Sequence, residues 1–180
     1  MDANVAILGA GPIGMCVLHA LRTKVRGRIF VTDKIDERLR HAQSLSPTWC
    51  GNARRQDVAK EIRELEPALV DLVYECSGDE AAIVQAMSLL KPGGSLVLIG
   101  IPGTDTIPFP VHELRRNEIT LVNIRRQAHC TARALDLLQS NRINLDALVT
   151  HRFHLHQIQE AFELVAGYRD GVMKAMIAMD

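Results

Sequence analysis

Six residues near the amino terminus form the pattern with the clearest chemical meaning in this sequence. Gly9-Ala10-Gly11-Pro12-Ile13-Gly14 matches G-x-G-x-x-G and joins a short apolar run to a segment with helical spacing. There the first glycine permits a tight turn, the second lets the backbone approach a pyrophosphate, and the third allows close packing of helix and strand. The free N–H groups of the helix would then face the phosphates. A glycine-rich turn that binds nothing has the same pattern, so the motif alone leaves both interpretations open.

Asp33 favours the dinucleotide interpretation. It ends the second predicted strand, nineteen residues after Gly14, where a Rossmann fold places a carboxylate that accepts hydrogen bonds from the adenosine ribose. The same carboxylate would repel a 2′-phosphate, so we predict NAD(H) rather than NADP(H), although Lys34 beside it weakens that preference. An acid at a strand end is also a common helix cap. Arg38 is either a contact along the adenosine or a surface cation.

The elements around these residues follow a β-α-β pattern, in which short β-branched runs alternate with longer segments of helical spacing. Strands are predicted at residues 5–8, 28–32, 69–75, 95–99 and 119–124, with one more short strand within 46–52. Helices are predicted at residues 13–24, 36–43, 55–66, 80–90 and 131–140, and Lys91-Pro92-Gly93-Gly94 is expected to end the fourth of them. The predicted fold class is α/β, a Rossmann-type doubly wound parallel sheet flanked by helices.

The pattern changes near residue 143. A strand at residues 148–153, a helix at 156–166 and a closing strand at 172–178 form a short strand-helix-strand unit. We therefore assign residues 1–143 to a dinucleotide-binding domain and residues 144–180 to a separate segment. That segment is too short to form a hydrophobic core of its own, so we expect it to pack on something else.

Topology predicts the remaining coenzyme contacts, because a ligand of an open α/β sheet lies across the carboxyl ends of its strands. The residues that follow the later strands are Cys76, Ser77, Gly78, Ile99, Gly100, Ile101, Asn123, Ile124, Arg125 and Arg126. Adjacent arginines are usually solvated surface charges, but at this edge a role in the site is equally consistent with their position.

Composition excludes several functions. The 21 Lys and Arg balance 21 Asp and Glu, and only 4% of the residues are aromatic, so we expect neither nucleic acid nor an anionic membrane as a partner. The apolar stretch over residues 5–18 is broken by glycines and is shorter than the roughly 20 residues of a membrane span. With no cationic leader and no C-x-x-C pair, the chain is expected to be cytoplasmic. For His151, His154 and His156 a structural role is favoured over a metal site.

Together these features resemble the medium-chain, zinc-dependent alcohol and polyol dehydrogenases, most closely the sorbitol and xylitol dehydrogenase branch. The resemblance covers nearly the whole chain, and its order and spacing are more specific than any one motif. The matching segments are Val5-Ala6-Ile7-Leu8 with the glycine motif, Val31-Thr32-Asp33 with Arg38-Leu39, Tyr74-Glu75-Cys76-Ser77-Gly78, Gly93-Gly94-Ser95-Leu96-Val97-Leu98-Ile99-Gly100, Leu148-Val149-Thr150-His151-Arg152-Phe153 and Glu160-Ala161-Phe162.

The resemblance implies an enzyme that oxidises a secondary alcohol or polyol to a ketone, with NAD as hydride acceptor. By that resemblance Ile13, Asp33, Arg38, the segment from Ile99 to Ile101 and the segment from Ile124 to Arg126 match positions that contact NAD. Arg126 also matches a position that faces the substrate. Gln127 stands where sorbitol dehydrogenases often have a tyrosine, which leaves the substrate preference open.

The family also implies where other parts of the enzyme lie. Its zinc-binding catalytic domain precedes the glycine motif and resumes after the coenzyme domain, so residues 144–180 would belong to it. Zinc ligands and catalytic residues are therefore not expected in this chain, which alone should be inactive. The family often dimerises through the edge strand, here from Ile119 to Ile124. A stand-alone, non-catalytic NAD-binding or redox-sensing module and an inactive fragment with an exposed apolar face remain alternatives.

Overall fold

Strands and helices alternate along the chain in a computed structural model that describes residues 2–126 and 128–179. The strands are β1 (Val5–Leu8), β2 (Ile29–Asp33), β3 (Trp49–Asn52), β4 (Val70–Glu75), β5 (Leu90–Leu98), β6 (Thr120–Asn123), β7 (Val149–His154) and β8 (Lys174–Ala178). The α-helices are α1 (Pro12–Arg22), α2 (Asp36–Gln43), α3 (Val58–Leu65), α4 (Glu80–Met87), α5 (Val111–Arg116), α6 (Thr131–Gln139) and α7 (Ile158–Ala166). Short 3-10 turns at Asp146–Leu148 and Leu155–Gln157 flank β7.

The first six strands form one sheet in the order β3-β2-β1-β4-β5-β6, and every neighbouring pair is parallel. This is the strand order of a Rossmann fold and confirms the predicted fold class. The chain builds β1, β2 and β3 in one direction and then returns to place β4 on the other side of β1. Ligands of such sheets bind where the direction reverses, at the carboxyl ends of β1 and β4.

Apolar side chains cover both faces of the sheet, as the alternation of a strand buried on both sides requires. Val5 and Ile7 of β1 belong to one buried cluster with Leu18 of α1, whereas Ala6 and Leu8 belong to a second cluster with residues of α3 and α4. Because β1 is buried on both faces, it fixes the position of the glycine motif that follows it.

The segment Lys91-Pro92-Gly93-Gly94 does not end a helix, contrary to the sequence prediction. Helix α4 already ends at Met87, and the segment lies inside β5. Between the pairs Val70–Leu90 and Leu72–Ser95 the register shifts, so these residues form a bulge opposite a single residue of β4. A proline is tolerated there because the bulge needs no ladder hydrogen bond from it.

Two further helix predictions needed correction. Helix α3 begins at Val58, later than predicted, because the Asp57 side chain caps it by accepting a hydrogen bond from the Lys60 N–H at 3.0 Å. Helix α5 was not predicted; it has six residues, and its two apolar residues, Val111 and Leu114, are too few to establish a helical period. No helix in the described part of the chain is long and apolar enough to cross a bilayer.

The carboxyl-terminal segment packs on the core of the first six strands. Strands β7 and β8 pair in parallel as a separate two-stranded sheet, joined by α7. Leu148 and Met173, which are 5% and 4% exposed, lie in the same apolar cluster as Val5 and Ile7. These contacts fix the loop between α7 and β8 relative to the carboxyl edge of the main sheet.

Leu148→Ala should therefore lower the free energy of unfolding by about 2–5 kcal/mol, because it removes buried methyl groups and leaves a cavity. The matched control is Leu155→Ala in the same segment, where the side chain is 49% exposed and we expect a change within about 0.5 kcal/mol. Urea unfolding followed by circular dichroism measures both. Equal effects of the two substitutions would contradict the docking of this segment on the core.

Candidate functional site

A cavity of roughly 360 Å³ opens at the carboxyl ends of β1, β2 and β4. Its volume lies within the range of small-molecule sites. The described residues that line it are Leu8, Gly9, Gly11, Pro12, Ile13, Thr32, Asp33, Lys34, Ile35, Arg38, Ala53, Arg54, Cys76, Ser77, Asp79, Ala82 and Tyr168. The cavity thus lies where the strand order reverses, as expected for a ligand site of this fold.

The turn between β1 and α1 forms one wall of the cavity. Gly9 has a φ of +100°, and a Cβ on it would lie 2.9 Å from the backbone nitrogen of Ser77. A Cβ on Gly14 would lie 1.8 Å from the Gly9 carbonyl oxygen, so neither position accepts a side chain. At Gly11 the nearest atom to such a Cβ is the Arg38 Nη1 at 3.4 Å, which leaves the backbone open to the cavity.

The beginning of α1 faces the cavity without a side-chain cap: Gly11 is the N-cap residue and Pro12 opens the helix. Uncapped N–H groups at a helix amino terminus attract anions, and phosphate groups above all.

The carboxylate of Asp33 holds the glycine turn in place. One oxygen accepts a hydrogen bond from the Ala10 N–H at 2.7 Å, and the other accepts one from the Ile35 N–H at 2.9 Å. The residue is only 8% exposed, yet it borders the cavity. Because each carboxylate oxygen has two lone pairs, the group keeps acceptor sites for a ligand hydroxyl.

Arg38 lies beside this carboxylate and is incompletely satisfied. Its Nη1 is 4.0 Å from the nearer Asp33 oxygen, and its guanidinium carbon is 5.1 Å from the centre of the Tyr168 ring. Among the described residues, no hydrogen-bond partner reaches its buried Nε. A buried donor without an acceptor is costly, so the guanidinium is not fully satisfied in this arrangement.

The charges around the cavity favour an anionic ligand. Lys34, Arg38 and Arg54 line it against two carboxylates, Asp33 and Asp79. Lys34 pairs with Asp79, and this hydrogen bond holds the pKa of Asp79 below its usual value. Asp79 also caps α4 by accepting a hydrogen bond from the Ala82 N–H at 3.2 Å. The net positive charge of these lining side chains suits a ligand that carries phosphates.

A buried glutamate organises the ends of β4 and β5. Glu75 is fully buried, and one of its carboxylate oxygens accepts hydrogen bonds from the Ser77 N–H at 2.7 Å, the Gly78 N–H at 3.0 Å and the Ser77 hydroxyl. Its main-chain oxygen accepts bonds from the N–H groups of Ile99 and Gly100, both at 2.9 Å. The residue therefore joins the two loops that follow these strands.

Cys76 borders the cavity as a thiol rather than a thiolate. Burial, together with the charges of Glu75 and Cys16, raises the pKa of Cys76 to about 12. A nucleophilic cysteine requires the opposite shift, so this side chain contributes packing and a weak donor.

The structure separates the predicted coenzyme contacts into three groups. Gly9, Gly11, Pro12, Ile13, Asp33, Arg38 and Cys76 line the cavity, and Gly14 packs beneath it. Ile99, Gly100, Ile101, Asn123, Ile124, Arg125 and Arg126 lie farther along the same carboxyl edge, outside the cavity. Gln127 is outside the described residues. The predicted contacts thus form a row along one edge of the sheet.

Ser77, which was predicted together with Cys76, also lines the cavity, whereas nine of the described lining residues were not among the predicted contacts. Asp79 is one of them; it lies three residues after Cys76, and its position near a predicted strand end was a usable signal. Tyr168 is 130 residues from Arg38 in the sequence, and its position depends on how the carboxyl-terminal segment docks. No local pattern predicts a contact over that distance.

A family model described as zinc-binding dehydrogenase matches residues 12–140. The chain belongs to this zinc-binding dehydrogenase family. It is 31% identical over 176 residues to the sorbitol dehydrogenase of Bacillus subtilis (strain 168). That alignment covers 97% of this chain and 50% of that protein. It is 35% identical over 182 residues to the L-arabinitol 4-dehydrogenase of Aureobasidium melanogenum, covering 96% of this chain and 48% of that protein.

Solved structures of the zinc-binding dehydrogenase family share this fold. The alcohol dehydrogenase TADH from Thermus sp. ATN1 superimposes with a TM-score of 0.92 at 26% identity, covering 99% of this chain and 52% of that one. The chain spans about half the length of the curated relatives it matches. The part that it matches is the carboxyl-terminal, coenzyme-binding part of such dehydrogenases.

The family name raises the question of zinc. Within residues 2–126 and 128–179, no group of three or more His, Cys, Asp or Glu side chains is arranged to hold a metal ion. His151 contacts Asp170 at 3.2 Å and the Thr150 hydroxyl at 2.9 Å, and the His154 and His156 rings stack on each other. These side chains do not fit a zinc centre.

The buried Glu75 gives a pH prediction. Desolvation raises its pKa above 4.5, the ordinary value, so the folded chain binds this proton more tightly than the unfolded chain. Hence its contribution to the free energy of unfolding falls as pH rises from about 4.5 through the raised pKa. Glu75→Gln has no such proton, so its stability relative to wild type should rise across that window, by up to about 1.4 kcal/mol per pH unit.

Urea unfolding of both proteins over a series of pH values measures this difference. A difference that is constant with pH, or that shifts towards the wild type as the pH rises, would contradict the assignment of a buried carboxyl with a raised pKa.

Proposed function

We propose that this chain is the NAD(H)-binding part of a dehydrogenase that oxidises a secondary alcohol or polyol to a ketone. The observation that carries the proposal is the cavity in which the open Gly11 backbone, the Asp33 carboxylate and the Arg38 guanidinium meet. These groups match the two recognisable parts of a dinucleotide, a pyrophosphate and a ribose diol. The sorbitol and L-arabinitol dehydrogenases among its relatives support the substrate class.

In this proposal each group of residues around the cavity binds a different part of the coenzyme. The amino terminus of α1 and the backbone at Gly11 bind the pyrophosphate, and Asp33 accepts hydrogen bonds from the ribose hydroxyls. Arg38 lies along the adenosine. The loops joined by Glu75, with Ile99, Gly100 and Ile101, support the other half of the coenzyme, and Asn123, Ile124, Arg125 and Arg126 complete this edge.

When the coenzyme is bound, its nicotinamide ring accepts hydride at C4. The side chains of this chain bind and orient the coenzyme. We propose that activation of the alcohol depends on groups outside this cavity. The isolated chain is accordingly expected to bind coenzyme without turning over substrate.

We also propose that two copies pair through β6. This strand is at the edge of the sheet, and Leu121 and Val122 are exposed on it. An apolar edge strand with unpaired backbone groups favours pairing with a second copy around a two-fold axis. Light scattering at micromolar concentration should give the mass of two chains, and Val122→Lys should reduce it to one. A wild-type protein with the mass of a single chain would contradict the pairing.

Asp33→Asn tests the coenzyme assignment. Hydrogen bonds to a charged acceptor contribute about 1.5–3 kcal/mol, so the affinity for NADH should fall at least about tenfold. The preference for NADH over NADPH should narrow as well, because the charge that repels a 2′-phosphate is gone. Isothermal titration calorimetry of the chain with each coenzyme measures both effects.

The matched control is Asp71→Asn. Asp71 also accepts a hydrogen bond from a backbone N–H, that of Asn4 at 2.8 Å, but it lies at the opposite end of the sheet beside Lys91. Its substitution should leave coenzyme affinity within about twofold of wild type. Unchanged NADH binding by Asp33→Asn, or tighter binding of NADPH than NADH by the wild type, would overturn the role given to Asp33.

A further inference from the structure

Among the described residues, Tyr168 is the one member of the carboxyl-terminal segment, residues 144–180, that lines the cavity. It belongs to the loop between α7 and β8, and its ring lies over Arg38, with the guanidinium carbon 5.1 Å from the ring centre. This is the distance of a cation–π contact. The carboxyl-terminal segment therefore touches the coenzyme cavity through a single side chain.

The backbone of Tyr168 is in a conformation that costs energy. Its φ is +48°, in the left-handed region, directly after Gly167 at the carboxyl cap of α7. Glycine or asparagine usually occupies such a position, and a bulky aromatic residue there is an outlier. Burial of the ring does not compensate for this strain, because Tyr168 is 61% exposed. Strain that packing does not explain points to a function for the side chain.

The Tyr168 ring is one of the groups that surround the Arg38 guanidinium. The only carboxylate neighbour of Arg38 among the described residues is Asp33, at the long distance of 4.0 Å, and the Arg38 Nε has no partner there. The Gly11 backbone lies close on another side, so the guanidinium is confined between the glycine turn, Asp33 and the Tyr168 ring. Removing the ring would free the guanidinium to turn away from the cavity.

We propose that Tyr168 is a positioning residue that holds the Arg38 guanidinium against the adenosine end of the coenzyme cavity. The proposal rests on the coenzyme function proposed above and adds a residue to it. It also makes the carboxyl-terminal segment part of the coenzyme site, because Leu148 and Met173 anchor that segment on the core. The role of the ring in positioning Arg38 then explains why a strained aromatic residue occupies this position.

Tyr168→Gly tests the proposal, because it removes the ring and also relieves the left-handed backbone strain. Binding of ADP-ribose, which has the adenosine and pyrophosphate but no nicotinamide, should weaken about three- to tenfold, in line with a cation–π contact. The urea midpoint should stay the same or rise, since glycine prefers this conformation. Tyr168→Phe keeps the ring and should bind ADP-ribose within about twofold of wild type.

A double-mutant cycle shows whether Tyr168 acts through Arg38. In an Arg38→Ala background, Tyr168→Gly should have no further effect on ADP-ribose binding. Phe162→Ala, which removes another exposed aromatic ring from the same segment, is the control and should leave binding unchanged. Calorimetry with ADP-ribose and NADH measures all of these variants.

The outcomes separate this proposal from the coenzyme function itself. A wild-type chain that binds neither NADH nor ADP-ribose would overturn both. A wild type that binds, together with unchanged affinity in Tyr168→Gly, would overturn only the role of Tyr168. The role of Tyr168 would also be overturned if Tyr168→Gly weakened binding equally with and without Arg38. A urea midpoint of Tyr168→Gly that falls in parallel with its affinity would overturn that role as well.

Discussion

Direct contact between backbone segments at the turn after β1 is the constraint on which the rest of the structure depends. Gly14 packs so closely on the Gly9 carbonyl that a Cβ would lie 1.8 Å from it, and Gly9 itself meets the loop that follows β4. Because these segments touch without side chains between them, α1 begins directly above the sheet. The cavity, its uncapped helix terminus and its open backbone at Gly11 follow from that arrangement.

Two buried carboxylates maintain the edge of the sheet around this turn. Asp33 accepts hydrogen bonds from the backbone of the turn after β1 and of the loop after β2, and Glu75 accepts them from the loop after β4. The N–H groups in these turns have no partner in the hydrogen bonds of the sheet. Each carboxylate accepts from them in place of water. They differ in exposure to the cavity: Asp33 borders it, whereas Glu75 lies beneath the loops. The first is thus available to a ligand, and the second supports the loops that surround it.

Local patterns predicted most of this architecture, because its signals are local. The bounds of β1 and α2 were predicted to the residue, and Asp33 lies at a distance from Gly14 that the fold determines. The Pro92-Gly93-Gly94 segment was misread because proline and glycine end helices and also form bulges, and only the register against β4 distinguishes the two. The contact of Tyr168 with Arg38 could not be predicted from the sequence, since it arises from docking of a distant segment.

A crystal structure of the chain with NADH would show directly whether this cavity binds the coenzyme. We expect the pyrophosphate at the amino terminus of α1, over Gly11, with both adenosine ribose hydroxyls about 2.5–3.0 Å from the Asp33 carboxylate oxygens. Coenzyme bound elsewhere, or bound at this edge with its ribose away from Asp33, would show that the glycine turn and Asp33 do not form the coenzyme site.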